Sequence, residues 1–485
     1  MEPNSLPYLK QIDARAGFLC LFCWMSTVAA PAQSAPQVEP LRKMSDAQII
    51  EDLGKNVDRL AAQDRFSGAV LVAKGNKILF QRAYGYADHA FNVLNKLDTK
   101  FNLGSMGKMF TGVAVLQLVQ GGKLSLDDKL IKDLPDYTNK DIANQITIGQ
   151  LLTHTSGLGD FFGPEFIGSS MAKFNTLESL LPLFVDKPLQ FEPGSKWSYS
   201  NAGFIVLGLV IEHVSGETYY DYVRKHIFEP AGMTNTGNEP WDTDVPNRAA
   251  GYTMGDSPGA PRKSNIFVLQ RGGSAGGGYS TVEDLLKFAE ALQEGKLLNK
   301  TYTDMDMTGQ VSTSRPGAKY GYGMEESFVN GVRIVGHGGG GPGINSNLDM
   351  YPGLGYTVAI MSNYDNGMPL VNQRLQMELT GQSLPKAVQL SAEVLKSFAG
   401  TYRPAAVEGL RVTPPALVIT ADDKGLWLQF MGPKRRFVPA SPGTFFDPDL
   451  PRAHLNFAKD GEGQITDLTA TGLGSPAPIK ATKQP

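Results

Sequence analysis

The sequence predicts a mixed α/β (α+β) fold whose sheet is assembled from segments far apart in the chain, followed by a small all-β domain. Three observations carry this. FSGAVLVAKGNKILFQRAYGYAD (66–88) reads as two strands around a Gly75-Asn76 turn. KYGYGMEESFVNGVRIVGHGG (319–339) and NLDMYPGLGYTVAIMSNYD (347–365) supply further strands more than 200 residues later, with helical runs between. From about residue 392 the pattern changes to short, evenly spaced strands with Gly, Pro and Asp turns.

The elements follow in order. After a polar, Pro-containing lead-in comes the first hairpin, expected at a sheet edge. MGKMFTGVAVLQLVQ has apolar residues at helical spacing and stops at Gly121-Gly122, which predicts a helix beginning near Ser105. Leu124 to Gln145 is charged and loop-like, and ITIGQLLTHTSGL contains a short helix. Gly159 to Thr176, rich in Gly and Phe, reads as a loop over a cleft. NAGFIVLGLVIEHVSG and ETYYDYVRKHIFEPAG are helical, and a Pro- and Gly-rich stretch then runs to Gly278. Thr281 caps a further helix, VEDLLKFAEAL. Asn330-Gly331 joins two of the later strands. GQSLPKAVQLSAE is linker-like. The expected boundaries are 45–380 for the larger domain and 392–475 for the β domain, which suggests a barrel.

Residues 1–32 stand apart. Lys10 and Arg15 precede the apolar run AGFLCLFCWMSTVAA, and Ala30-Pro31-Ala32 ends it with small residues at cleavage-critical positions. This is the pattern of a secretory signal peptide, so the expectation is an exported, periplasmic or secreted protein with no stable membrane span after cleavage. Neither Cys20 nor Cys23 follows a lipidation motif, and both lie within the leader. The rest of the chain has no cysteine, which excludes disulfides, thiol catalysis and cysteine-ligated metals. A formal charge of -3 over 485 residues offers no basic field for nucleic acid. A small-molecule substrate is expected instead; oligomeric state is not legible.

Phe101-Asn102-Leu103-Gly104-Ser105-Met106-Gly107-Lys108 places a Ser-x-x-Lys at the start of a helix. At about 1.5 Å rise and 100° per residue, positions three apart share a face, so the lysine amine can reach the serine hydroxyl. Serine needs an adjacent base, and lysine serves only with a lowered pKa, which burial and a helix N-terminus favour. On its own the motif is a common coincidence. Two later segments complete a site: Tyr199-Ser200-Asn201 opens a helix, and His337-Gly338-Gly339-Gly340 ends a strand where missing side chains admit a substrate backbone. Taken singly, Tyr199 reads as an interfacial aromatic, Asn201 as an N-cap and the glycines as a flexible loop.

In this order the three segments resemble the serine β-lactamase-like and penicillin-binding-protein-like hydrolases: class C β-lactamases, D-alanyl-D-alanine carboxypeptidases, D-aminopeptidases and related esterases. LLTHTSGL, FEPGSKWSYSN, AAGY and GGGYSTVEDLLKF add to the likeness, which spans roughly residues 45–375. The resemblance implies an antiparallel sheet flanked by helices with a helical insert, and catalysis through an acyl-enzyme without cofactor or metal. It implies Ser105 as nucleophile and Lys108 as base. Tyr199 would exchange a proton with the leaving group and activate the deacylating water, while Asn201, His337, Gly338, Gly339 and Gly340 would hold substrate. The amides of Ser105 and Gly340 would form the oxyanion hole, with the second register open within Gly338 to Gly341.

One departure matters. Where many β-lactamases have Lys in the third motif this chain has His337, which with an ordinary pKa is charged in about a quarter of molecules at pH 7. An ester or an amide/peptide substrate, including a D-residue peptide, is therefore favoured over a β-lactam. The alternatives are a β-lactamase or D-Ala-D-Ala carboxypeptidase, and, in another class, a relative that binds peptidoglycan fragments without turnover.

Rival signals are weaker. Gly272-Gly273-Ser274-Ala275-Gly276 fits Gly-x-Ser-x-Gly but lacks the helix that must follow at once, so a loop packed near the cleft is expected. His154 reads as structural. Gly338, Gly340 and Gly343 lack the helix and acidic residue of a dinucleotide site. Pro433 to Arg436 reads as a solvated basic hairpin.

Overall fold

The first hairpin forms as expected: β1 (Gly68–Lys74) and β2 (Lys77–Tyr84) turn at Gly75–Asn76, where Gly75 takes φ +52°. In this computed structural model, residues 44–253, 262–264, 271–405, 415–431, 434–473 and 478–484 are described. The leader, both cysteines and parts of the stretch before Gly278 lie outside them.

Strands β3 (Val311–Ser312), β4 (Ala318–Tyr320), β5 (Glu325–Val329), β6 (Val332–Gly341), β7 (Ile344–Tyr351) and β8 (Tyr356–Ser362) complete an antiparallel sheet ordered β2-β1-β8-β7-β6-β5-β4-β3. Its register pairs Val70 with Ile360 and Asn347 with Ile360, so strands from opposite ends of the domain meet at its centre. Asn330 and Gly331 both have positive φ, the requirement of a two-residue hairpin turn. The sequence called for an edge hairpin at β1–β2, and β2 is the edge strand.

Two long helices escaped the sequence reading, as did the shorter Lys300–Asp306 and Ala392–Ser397. α1 (Asp46–Ala62) occupies the supposed lead-in and carries a full capping box, with Gln48 and Ser45 exchanging hydrogen bonds. Ile49, Leu53, Val57 and Leu60 are its buried stripe. α5 (Gly367–Leu379) follows the last strand, and the two pack on one sheet face over Val70, Val72, Val358 and Ile360. The opposite face, with Ala69, Leu71, Leu348, Ala359 and Met361, meets the helical half. There α2 (Gly107–Gln120) and α3 (Asn201–Ser215) are buried on nearly every side, and α4 (Val282–Gln293) begins at Thr281, whose Oγ1 accepts from Asp284 N–H at 3.2 Å. The supposed loop between Leu124 and Gln145 contains helical turns at Leu130–Asp133 and Lys140–Gln145, too short to register as periodicity.

Eight strands between Gly400 and Lys483 close into a barrel filled by Leu417, Ile419, Leu426, Leu428, Phe437, Phe445, Leu455 and Leu468. The basic run is solvated only in part: Lys434 is exposed, whereas half-buried Arg435 is ion-paired at 2.8 Å with buried Asp447. The barrel docks on the α1/α5 side. Leu450 packs against both cores, Asp449 accepts from Arg59 at 2.5 Å and from Arg65, and Arg452 donates to Gln376. It lies on the sheet face opposite α2.

Asp449→Ala removes both arginine contacts and is expected to cost about 1–3 kcal/mol, the usual worth of hydrogen bonds to a charged group. Urea unfolding should show a lower midpoint at unchanged slope; an unchanged midpoint would mean that the barrel is held by its apolar contacts alone.

Candidate active site

Ser105 lies in a 3₁₀ turn, Gly104–Met106, that runs directly into α2. Gly104 takes φ +53°, and its N–H donates to Asn102 Oδ1 at 2.8 Å. The turn sits against the glycine run of β6. A Cβ on Gly339 would meet the Leu103 carbonyl oxygen at 1.9 Å, and one on Gly104 would lie 3.0 Å from the Gly340 nitrogen. Position 339 needs a glycine because backbone lies on backbone there. β5 leaves β6 after Gly336, while β7 stays paired with it to Gly341, so β6 beyond Gly336 has no β5 partner. Gly340 is exposed beside the turn, and Gly338 lies against Asn347.

Lys108, three residues after Ser105 on the same face, is completely buried. Its Nζ stands 3.4 Å from Ser105 Oγ, donates to Asn201 Oδ1 at 2.7 Å and donates to the Ala275 carbonyl. It also lies 4.8 Å from the centre of the Tyr199 ring. Burial pushes its pKa down to about 7, opposed by the charge of Asp160. A neutral amine has two N–H groups and one lone pair. With Asn201 and Ala275 taking the N–H groups, the lone pair is left for the Ser105 hydroxyl proton.

Asn201 is not the helix cap. Ser200 caps α3, its Oγ accepting from Gly203 N–H at 2.9 Å, which frees the Asn201 side chain. Asn201 Nδ2 donates to Asp160 Oδ2 at 2.8 Å, fixing the amide so that its oxygen faces Lys108. The Tyr199 hydroxyl is buried, with the Ser105 side chain as its polar neighbour. Burial raises its pKa, with Ser105 acting in the opposite direction, so it is a neutral phenol near pH 7.

This constellation can run acyl transfer: a base on a hydroxyl, an acid beside it, an amide, and backbone N–H groups at a strand edge. A family model described as beta-lactamase matches residues 48–381. The chain belongs to the beta-lactamase family. It is a serine hydrolase, similar to penicillin-binding protein 4* of Bacillus subtilis (strain 168), 28% identical over 415 residues covering 80% of this chain and 89% of that one. Among solved structures, a penicillin-binding protein from Bacillus halodurans is 35% identical with TM-score 0.61, covering 69% of this chain and 99% of the other. A D-stereospecific amidohydrolase from Streptomyces sp. is 29% identical with TM-score 0.55, covering 66% and 95%.

In this beta-lactamase-family hydrolase His337 differs from expectation. It is 5% exposed, its Nε2 is 3.0 Å from Tyr320 Oη and its Nδ1 is 2.5 Å from the Gly338 carbonyl. Because the carbonyl can only accept, Nδ1 carries the proton and Nε2 accepts from Tyr320. Burial, reinforced by Lys108, lowers its pKa to about 3, so the expected quarter of charged molecules is replaced by a neutral ring. His154 has φ +60°, accepts from Ser200 N–H at Nδ1 (3.1 Å) and packs its ring 4.3 Å from that of Tyr199. The Gly272–Gly276 segment is a loop with no helix at Ser274. It supplies the Ala275 carbonyl to Lys108. No role was read for Asp160, Tyr320 or Ala275 in the sequence, although Asp160 stood in the loop expected over the cleft and Ala275 in the Gly272–Gly276 loop expected near it.

Among the described residues no group of three or more His, Cys, Asp or Glu could hold a metal ion, and no helix is long and apolar enough to cross a membrane.

A base that works only as neutral amine gives a rate that is lost as pH falls through its pKa. kcat/KM for a neutral ester should therefore rise through a limb near pH 7. Asp160→Asn keeps an acceptor for Asn201 but removes the charge that raises Lys108, so the limb should move to lower pH. A limb that stays in place in an active Asp160→Asn enzyme would show that Asp160 does not tune the base.

Proposed function

We propose that this hydrolase is exported and cleaves an ester or an amide/peptide bond, including that of a D-residue, through an acyl-enzyme on Ser105. The observation that carries the reading is the buried Lys108 amine, 3.4 Å from Ser105 with both its donor directions occupied. Neutral Lys108 takes the Ser105 proton as Oγ attacks the carbonyl carbon. The oxyanion that develops is held by the N–H groups of Ser105 and Gly340. As the bond to the leaving group breaks, Tyr199 gives that group its phenol proton and regains one from the Lys108 ammonium. Water then repeats the attack: it loses a proton along the same Tyr199–Lys108 route, the acid departs and Ser105 Oγ is reprotonated. Asn201 and the β6 edge from His337 to Gly340 hold the substrate.

The neutral, buried His337 favours this substrate class over a β-lactam or a D-Ala-D-Ala terminus. Those substrates carry a carboxylate, and the third motif here has no cation to meet it. The likeness to a D-stereospecific amidohydrolase supports D-amino acid amides as candidates. Export rests on the leader pattern of residues 1–32 and the absence of cysteine after it.

A fluorophosphonate probe should label the wild type and leave Ser105→Ala unlabelled; labelling that survives in the variant would remove Ser105 as nucleophile. On parallel substrates, a short-chain aryl ester should turn over faster than a chromogenic cephalosporin or a D-Ala-D-Ala peptide. Cephalosporin turnover equal to that of the ester would overturn the argument from His337. Tyr199→Phe should slow turnover by about 10² or more, the scale of a lost acid/base group. An unaffected rate would assign leaving-group protonation elsewhere.

A further inference from the structure

Support for β6 changes character at His337. Up to Gly336 the strand is paired with β5, whose first residue, Glu325, stands opposite Gly336. The next residue, His337, is met by a side chain: Tyr320, the last residue of β4, places its Oη 3.0 Å from His337 Nε2. Tyr320 is completely enclosed. Burial, reinforced by nearby Tyr199, Glu325 and Asp306, raises its pKa well above the ordinary phenol value, so the hydroxyl keeps its proton.

The backbone that follows Tyr320 is wedged against the helix that carries Lys108. A Cβ on Gly112 would meet the Tyr322 carbonyl oxygen at 1.7 Å, and one on Gly323 would meet that of Lys108 at 2.5 Å. Gly321 N–H closes the turn on the Met324 carbonyl at 2.7 Å. The Tyr320 ring is equally confined, its centre 4.4 Å from that of His154, 5.7 Å from His337 and 6.3 Å from Tyr199. One residue thus packs against Tyr199 and His337 while the turn after it rests on Lys108.

This fixed hydroxyl decides how His337 carries its proton. The Gly338 carbonyl, 2.5 Å from Nδ1, can only accept, and a neutral ring has one N–H to give. Tyr320 donates to the other nitrogen, so the two partners select a single tautomer. Without the hydroxyl, nothing at Nε2 opposes a proton there, and a ring protonated at Nε2 releases the Gly338 carbonyl.

Resting on the proposed acyl-enzyme reading, we propose that Tyr320 is a positioning residue. It fixes His337 in the Nδ1–H tautomer, and through the bond from Nδ1 to the Gly338 carbonyl it sets the peptide at the open edge of β6 where substrate is held.

Nitrogen NMR of the full chain carrying isotope-labelled histidine reads the tautomer directly, because protonated and bare ring nitrogens resonate far apart. The His337 signals are those missing from His337→Asn. In the wild type Nδ1 should be protonated and Nε2 bare; the reverse would overturn the proposal without recourse to a variant. Tyr320→Phe, which keeps the ring, should move both signals toward a mixture of tautomers and raise KM for a neutral aryl ester by about 10-fold, with kcat changed by less than about 2-fold. In a His337→Asn background the same substitution should raise KM no further, since the imidazole it acts through is gone. Unchanged His337 signals in Tyr320→Phe would overturn the proposal, as would a changed tautomer with unchanged KM. An equal rise of KM in the His337→Asn background would make Tyr320 a packing residue and overturn it too. The spectra need no substrate and no Ser105 chemistry, so the tautomer assignment and the acyl-enzyme reading, tested by labelling of Ser105→Ala, can fail independently.

Discussion

The burial of one amine organises this molecule. Lys108 is enclosed by α2, the start of α3 and the Gly272–Gly276 loop, three segments far apart in the sequence. Lowering a lysine from 10.5 to about 7 disfavours its ammonium form by roughly 5 kcal/mol. A fold accepts that penalty only where the neutral amine is itself well bonded. Asn201 and Ala275 provide those bonds, and in doing so they leave a lone pair in the direction of Ser105. Desolvation sets the base strength and hydrogen bonding sets its orientation, so stability and chemistry here have one cause.

A second constraint is steric. The turn that carries Ser105 lies directly against β6, backbone on backbone. Such an approach leaves no room for Cβ atoms at Gly339 or, with its positive φ, at Gly104. Gly339 is thus a packing requirement of the site, and the run is a strand and not a flexible loop. β6 can offer its edge because β5 stops pairing at Gly336, and the sheet itself is held in register by strands from both ends of the domain.

Much of this was legible in the sequence. Ser105 with Lys108 is a local relation, set by helical geometry. Tyr199, Asn201 and the His337 segment were legible as ordered motifs. The fold class, the late hairpin at Asn330-Gly331 and the evenly spaced barrel strands follow from turn chemistry and alternation. α1 was missed although its capping box is readable, because the surrounding charge resembled a lead-in. What stayed hidden depends on three-dimensional burial. His337 looked half-charged near neutrality until its enclosure by Tyr320 and its closeness to Lys108 were known. Asp160 and Tyr320 act on partners 41 and 17 residues away along the chain, and no spacing rule connects them.

The barrel illustrates the same limit at larger scale. Its strands are readable, but not where it sits. Asp449, reached by Arg59 and Arg65, together with Arg452 on Gln376, fastens it to α1 and α5. The sheet separates those helices from α2 and Lys108. Among the described residues, the side chains that fasten the module reach Arg59, Arg65 and Gln376. The module covers apolar and polar surface of α1 and α5 that would otherwise face water, and so steadies the layer on which β1, β7 and β8 pack. β7 in turn sets the register of β6 through pairs such as His337 with Leu348 and Gly340 with Asn345, so the layer that the barrel backs is continuous with the strand that faces Ser105.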